Sequence, residues 1–154
     1  MSIKVVTDST CDLPQSVVST YGINVVPCYI NMGGISYLDG VELSRREFYE
    51  RLPDCDPHPT TSAPGIGNFV EVYKALIADG ASGIISIHIS AQLSNVVNVA
   101  RLAAETIKAV PTTVIDAGQL TIGTGLQALV AAKAAEVGQS MKEIVLKKKK
   151  KTTH

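Results

Sequence analysis

The chain has 154 residues, 45% of them hydrophobic and 18% charged, which is enough to bury a core and excludes an intrinsically disordered chain. Its formal net charge is zero, yet five of the fourteen basic residues form the run Lys147–Lys151, leaving nine against fourteen acidic residues elsewhere. A mildly acidic domain over residues 1–146 with a solvated, disordered Lys-rich tail at 147–154 is expected, without the aromatic platform of a specific nucleic-acid binder.

In chain order, "IKVVTD" (Ile3–Asp8) is β-branched, apolar and closed by polar turn residues, which predicts a short buried strand. In "STCDLPQSVVSTYG", Asp12 is placed to cap a helix, Pro14 to occupy its first turn and Gly22 to end it. "INVVPCYINM" (Ile23–Met32) predicts a second strand that Pro27 interrupts or confines to an edge, and Gly33-Gly34 turns it into "ISYL" as a hairpin. "SRREFYERL" (Ser44–Leu52) predicts a helix capped by Ser44, and the prolines of "PDCDPHP" predict a loop. Phe69, Val72, Tyr73, Leu76 and Ile77 share one face of an amphipathic helix closed by Gly80. The strand "SGIISIHIS" (Ser82–Ser90) alternates Ile85, Ile87 and Ile89 with Ser86, His88 and Ser90. A helix over "LSNVVNVARLAAETIKAV", a strand over "PTTVID" (Pro111–Asp116), an Ala-rich helix closed by Gly138 and a last helix from Ser140 complete the chain. Strands alternating with helices predict an α/β fold, a mostly parallel sheet covered by helices on both faces.

Ligands of such sheets gather outside the carboxyl ends of the strands. Small hydroxyl residues crowd there: Ser9 and Thr10 beside Asp8, Ser90 and Ser94 before Asn95, Thr121 after Asp116, and Thr60, Thr61 and Ser62 at a predicted helix start. Neutral donors converging on helix N-termini describe a site for one small anionic group, although helix capping alone explains any single cluster. Asp8 and Asp116 are candidates for the acidic pair of a small-anion or phosphoester enzyme, or they orient loops. His88, inside a strand, reads as a hydrogen-bonded core residue rather than a general base. The chain has no Gly-x-Ser-x-Gly elbow, no P-loop and no His/Cys/carboxylate cluster with metal spacing, so no catalytic residue, metal or cofactor is expected. "GTGLQA" (Gly123–Ala128) lies inside a helix, where its glycines serve close packing. Three cysteines without metal-ligand spacing suit a reducing compartment, and no stretch is long enough to span a bilayer, so a cytoplasmic protein without a transmembrane segment is expected.

Five stretches, "TDSTCDLP" (Thr7–Pro14), "YLDGVELSRREFYERL" (Tyr37–Leu52), "PTTSAP" (Pro59–Pro64), "ISAQLSNVVNVA" (Ile89–Ala100) and "VIDAGQLTIGTG" (Val114–Gly125), resemble the DegV family in order and spacing across almost the whole chain. The resemblance implies a bacterial cytoplasmic fatty-acid-binding protein rather than an enzyme, with a long-chain fatty acid in a tunnel. Some members present the acyl carboxylate to a fatty acid kinase. Thr61 and Ser62 match the family's Thr-Ser-Gln-Pro stretch, and Ser90 and Ser94 match its Ser-Ser-x-Leu-Ser-Gly stretch, the two that hold the carboxylate. Ala63, Ala91, Asn95, Val96 and Ala117 depart from it, and Asn95 offers an amide in place of a lost hydroxyl. Asp8, Ser9, Thr10 and Asp116 are supporting candidates. Family chains continue into a second domain that closes the tunnel and is expected to be absent here. One domain alone would expose an apolar groove, a patch that recruits a second-domain partner or a homodimer. A ligand-free interaction domain is the remaining alternative.

Overall fold

The computed structural model describes the backbone of residues 2–151 and the side chains of residues 2–146. In chain order the elements are β1 (Ile3–Asp8), α1 (Gln15–Thr20), β2 (Asn24–Val26), β3 (Tyr29–Met32), β4 (Ile35–Leu38), α2 (Arg45–Arg51), β5 (Thr60–Ser62), α3 (Ile66–Ala78), β6 (Gly83–His88), α4 (Val96–Thr106), β7 (Thr112–Asp116), α5 (Ile122–Glu136) and α6 (Met141–Lys151). Four of the strands form an all-parallel sheet in the order β2-β1-β6-β7. As expected, helices cover both of its faces.

The alternation of strand residues decides what each face buries. Val6 and Ile84 point to one face and pack with Phe69, Tyr73 and Leu76 of α3 and Val96, Ala100 and Ala103 of α4. Val5, Ile85 and Ile87 point to the other and pack with Val18 of α1, Ala128, Ala131 and Ala132 of α5 and Ile144 of α6. With no tryptophan and two phenylalanines in the sequence, aliphatic and alanine side chains fill most of this volume.

Three expectations need correction. The segment Ile23–Met32 is two strands in two sheets: β2 ends before Pro27, and β3 starts a separate antiparallel sheet of order β4-β3-β5. Its predicted hairpin is present, with Gly33 and Gly34 at φ 60° and 78° supplying the left-handed turn. Thr60, Thr61 and Ser62 do not begin a helix. They form β5, paired with β3, and α3 starts at Ile66, where the Asn68 side chain accepts from the Gly65 amide. Asp12 does not cap α1; it has φ 52° and binds Arg45 at 2.7 Å, while Pro14 holds the N-cap position. The expected disordered tail over 147–154 lies largely outside the described residues: the backbone of α6 continues through Lys151, and the side chains of that run and all of residues 152–154 are not among them.

The predicted cap of α2 holds, and α6 carries a matching one. Ser44 and Glu47 bond reciprocally in a capping box, and Ser140 and Glu143 do the same.

Close packing by "GTGLQA" is visible at Gly125, where α5 rests against the loop after β1. A β-carbon there would collide with the Cys11 carbonyl oxygen and come within 2.9 Å of the Leu13 side chain. Gly125→Ala is expected to lower stability by about 1–3 kcal/mol, measured as a lower urea midpoint. A midpoint equal to that of the unmodified protein would show that the helix and loop separate at no cost.

Candidate functional site

The central strands β1 and β6 run in register, and their last residues, Asp8 and His88, are both fully buried. His88 Nδ1 lies 2.8 Å from Asp8 Oδ2, and His88 Nε2 lies 2.6 Å from Ser86 Oγ. Tyr73 of α3 donates to that same Ser86 oxygen at 2.8 Å. An ionised carboxylate only accepts, so Nδ1 carries the ring proton. The Ser86 hydroxyl, already an acceptor for Tyr73, directs its own proton at Nε2. One neutral imidazole therefore satisfies the whole chain of groups, with the proton positions assigned from this bonding pattern.

Burial works against the charge on Asp8, but the hydrogen bond and electrostatic attraction of His88 and two bonds from Thr10 outweigh it. The net effect holds the carboxyl below its ordinary pKa. Burial also pushes the Tyr73 phenol up to about 12, which keeps it a donor at neutral pH. The expectation that His88 is a hydrogen-bonded core residue is met. Although Ser86, His88 and Asp8 resemble the members of a nucleophilic triad, Ser86 has no exposed surface from which to attack a substrate.

Just beyond β6, three successive amides are fixed from three directions. Ile89 N–H donates to Asp8 Oδ2 at 3.3 Å, Ser90 N–H to the Gln119 carbonyl at 2.9 Å, and Ala91 N–H to Asp116 Oδ2 at 3.3 Å. Asp116 Oδ1 also accepts from Gly118 N–H at 2.8 Å, tying its own loop to the same point. Ser90 is thereby held at the carboxyl edge of the sheet. Its Oγ accepts a 3.3 Å bond from Gln92 N–H and retains its proton to donate. Leu93 and Leu120 on the two loops so joined, and Ile122 at the start of α5, are each about half exposed.

The other predicted residues divide by location. Ser94 Oγ accepts from Val96 N–H at the start of α4, and the Asn95 side chain bonds Asn98. Ser9 Oγ accepts from Cys28 N–H, while Thr10 bonds Asp8 through both its amide and its hydroxyl. On β5, Asn31 of β3 donates to Thr60 and Ser62. Strand pleat places Thr61 on the face opposite Ser62. The end of β5 and the loop after β6 nevertheless meet the same core, because Ala63 packs against the cluster that contains Ile89. Asp8 and Asp116 do not form a pair: β6 lies between their strands, which puts their backbones about 10 Å apart. Among the described residues, no three His, Cys, Asp or Glu side chains are placed to hold a metal ion jointly.

Tyr73, Ser86 and Gln119 were not singled out as site residues by the sequence. The available signal was Ser86 and His88 at i and i+2, two polar groups on one face of a strand that helices were expected to cover.

The family described as "Uncharacterised protein, DegV family" matches residues 2–154. A DegV domain-containing protein of Deinococcus radiodurans is 41% identical over 145 residues, which are 94% of this chain and 51% of that one. Another, of Clostridium perfringens, is 39% identical over 142 residues, covering 92% of this chain and 50% of that one. Among solved structures, a fatty-acid-binding DegV family protein from Thermus thermophilus superposes with a TM-score of 0.89 at 35% identity, over 97% of this chain and 53% of that one. DegV from Bacillus subtilis, a fatty acid binding protein, gives a TM-score of 0.90 at 29% identity, over 97% of this chain and 53% of that one. The chain thus spans about half the length of these relatives.

The lowered pKa of Asp8 fixes the sign of a pH effect. Its contribution to stability is complete above the unfolded carboxyl value near 4 and is lost as pH falls through the lower native value. Asp8→Asn is expected to cost about 1–3 kcal/mol at pH 7, because His88, Thr10 and Ile89 lose an anionic acceptor. Urea titrations should show that difference shrinking below pH 4, and a difference independent of pH would refute the assigned ionisation.

Proposed function

The chain belongs to the DegV family, and from that membership we propose that it binds a long-chain fatty acid by its carboxylate. The carrying observation is the Ser90 hydroxyl, held by three consecutive pinned amides on a loop that also bears the half-exposed Leu93. Ser90 donates one hydrogen bond to the carboxylate and Thr61, on β5 of the second sheet, donates another. Ser94 and Asn95 complete the polar surroundings, while Ser62, on the other face of β5, steadies that strand through Asn31. Asp8, Ser9, Thr10 and Asp116 hold the loops rather than the ligand. Hydroxyl donors suit an anion at the mouth of an apolar surface, since they bind it without the desolvation cost of burying a cation.

The acyl chain lies against Leu93, Leu120 and Ile122, gaining about 0.8 kcal/mol for each methylene removed from water. That gain needs a second wall, supplied by a second domain or a second copy of the chain. The protein is a carrier in this proposal, presenting the bound carboxylate to a fatty acid kinase in the cytoplasm and catalysing nothing itself. The fatty-acid-binding proteins among its solved relatives support the ligand class. The three cysteines, all free, are compatible with a reducing compartment.

Solvent extraction of the purified protein followed by mass spectrometry should release a fatty acid. Protein that carries none and takes up no added oleate would overturn the proposal. Thr61→Ala combined with Ser90→Ala removes two hydrogen bonds to a charged group, so oleate affinity should fall about 100-fold or more. An unchanged affinity in that double variant would move the head group elsewhere.

A further inference from the structure

His88 has no exposed surface, yet its bond to Asp8 leads to the loop that carries Ser90. Asp8 Oδ2 accepts from two groups, His88 Nδ1 at 2.8 Å and the Ile89 amide at 3.3 Å. The Ile89 amide belongs to the peptide that joins His88 to Ile89, one peptide before that of Ser90. Behind His88 stand Ser86 and Tyr73, so the ring is fixed at both nitrogens and Phe69 meets it edge-on at 5.1 Å. An isolated buried carboxylate could rotate toward Thr10, which already bonds its other oxygen. His88 prevents that rotation and keeps Oδ2 aimed at Ile89.

We propose that His88 is a positioning residue for the head-group site, acting through Asp8 to fix the Ile89 amide and hence the direction of the Ser90 hydroxyl. This inference rests on the fatty-acid reading of Ser90. It adds to that reading a chain of control running from Tyr73 on α3, through β6 and β1, to the ligand. Ser86, His88 and Asp8 are then a support for binding, in an arrangement that elsewhere performs nucleophilic chemistry.

Two substitutions separate the halves of the ring. The side-chain amide nitrogen in His88→Asn occupies the place of Nδ1 and retains the bond to Asp8 while losing Ser86. His88→Gln extends to the place of Nε2 and retains Ser86 while releasing Asp8. Both delete the ring that meets Phe69, so comparable losses in thermal midpoint are expected and serve as the control. Oleate affinity should stay within about twofold in His88→Asn and fall about tenfold in His88→Gln, the loss expected for one hydrogen bond to a charged group. Hydrogen exchange at the Ile89 amide should accelerate about tenfold in His88→Gln alone.

A measurement on the unmodified protein removes dependence on either variant folding: nitrogen-15 spectra of His88 should show the proton on Nδ1 and an unprotonated Nε2. The opposite tautomer overturns the proposal. Equal affinity and equal Ile89 exchange in the two variants also overturn it, reducing His88 to a packing residue. Failure of the unmodified protein to bind oleate overturns the fatty-acid reading instead, a result distinct from a failure of the Ile89 exchange pattern.

Discussion

Asp8 and His88 are placed where two central strands end, and neither has any contact with water. A charge in that position is tolerated only if every lone pair meets a donor, and most of the upper edge of the sheet supplies those donors. Thr10 turns back to bond one oxygen, Ile89 and His88 bond the other, and Tyr73 reaches down from α3 to complete the series through Ser86. The loops after β1 and β6 therefore take their shapes from one carboxylate. Asp116 repeats the pattern one strand further on, between the loops after β6 and β7. Acidic residues that suggest chemistry in the sequence act as loop anchors in the fold.

Much of the architecture was legible because its signals are local. The β-branched runs Ile3–Val6 and Gly83–Ile87 mark buried parallel strands whatever surrounds them, and Ser44 three residues before Glu47 specifies a capped helix within one turn. What failed to read correctly depends on distant partners. Thr60, Thr61 and Ser62 suit both a helix entrance and a strand, and β3 decides the matter from a place thirty residues earlier in the chain. Asp12 has the composition of a cap, but Arg45 draws it into the left-handed region instead. The hydroxyls of the candidate site stand out in the sequence by type and placement. Their geometry does not, because the fixed direction of Ser90 comes from Asp8, Gln119 and Asp116, which converge only when the sheet is assembled.

Under the proposed function, the donors of the candidate site are neutral and single, so they would orient a carboxylate more than attract it. Affinity would then come largely from hydrocarbon, and the half-exposed Leu93, Leu120 and Ile122 offer apolar surface for it. The same side of α5 continues with Leu126 and Val130 at helical spacing, each close to half exposed. In that proposal, polar orientation at the rim and apolar contact along the wall fall to separate residues.

Asp8 and His88 are eighty residues apart in the chain, as is every pairing between β1 and β6. Bringing such distant segments together carries a loop-closure cost that β2, only a short helix away from β1, does not face. A growing chain can pair β1 with β2 long before β6 exists, and throughout that interval the Asp8 carboxylate remains hydrated, because its histidine has not been made. Desolvation of Asp8 and creation of the Ser90 loop then belong to one late step. The protein acquires the buried charge of Asp8 and the pinned Ser90 loop together, so a chain stalled before β6 has joined the sheet has neither.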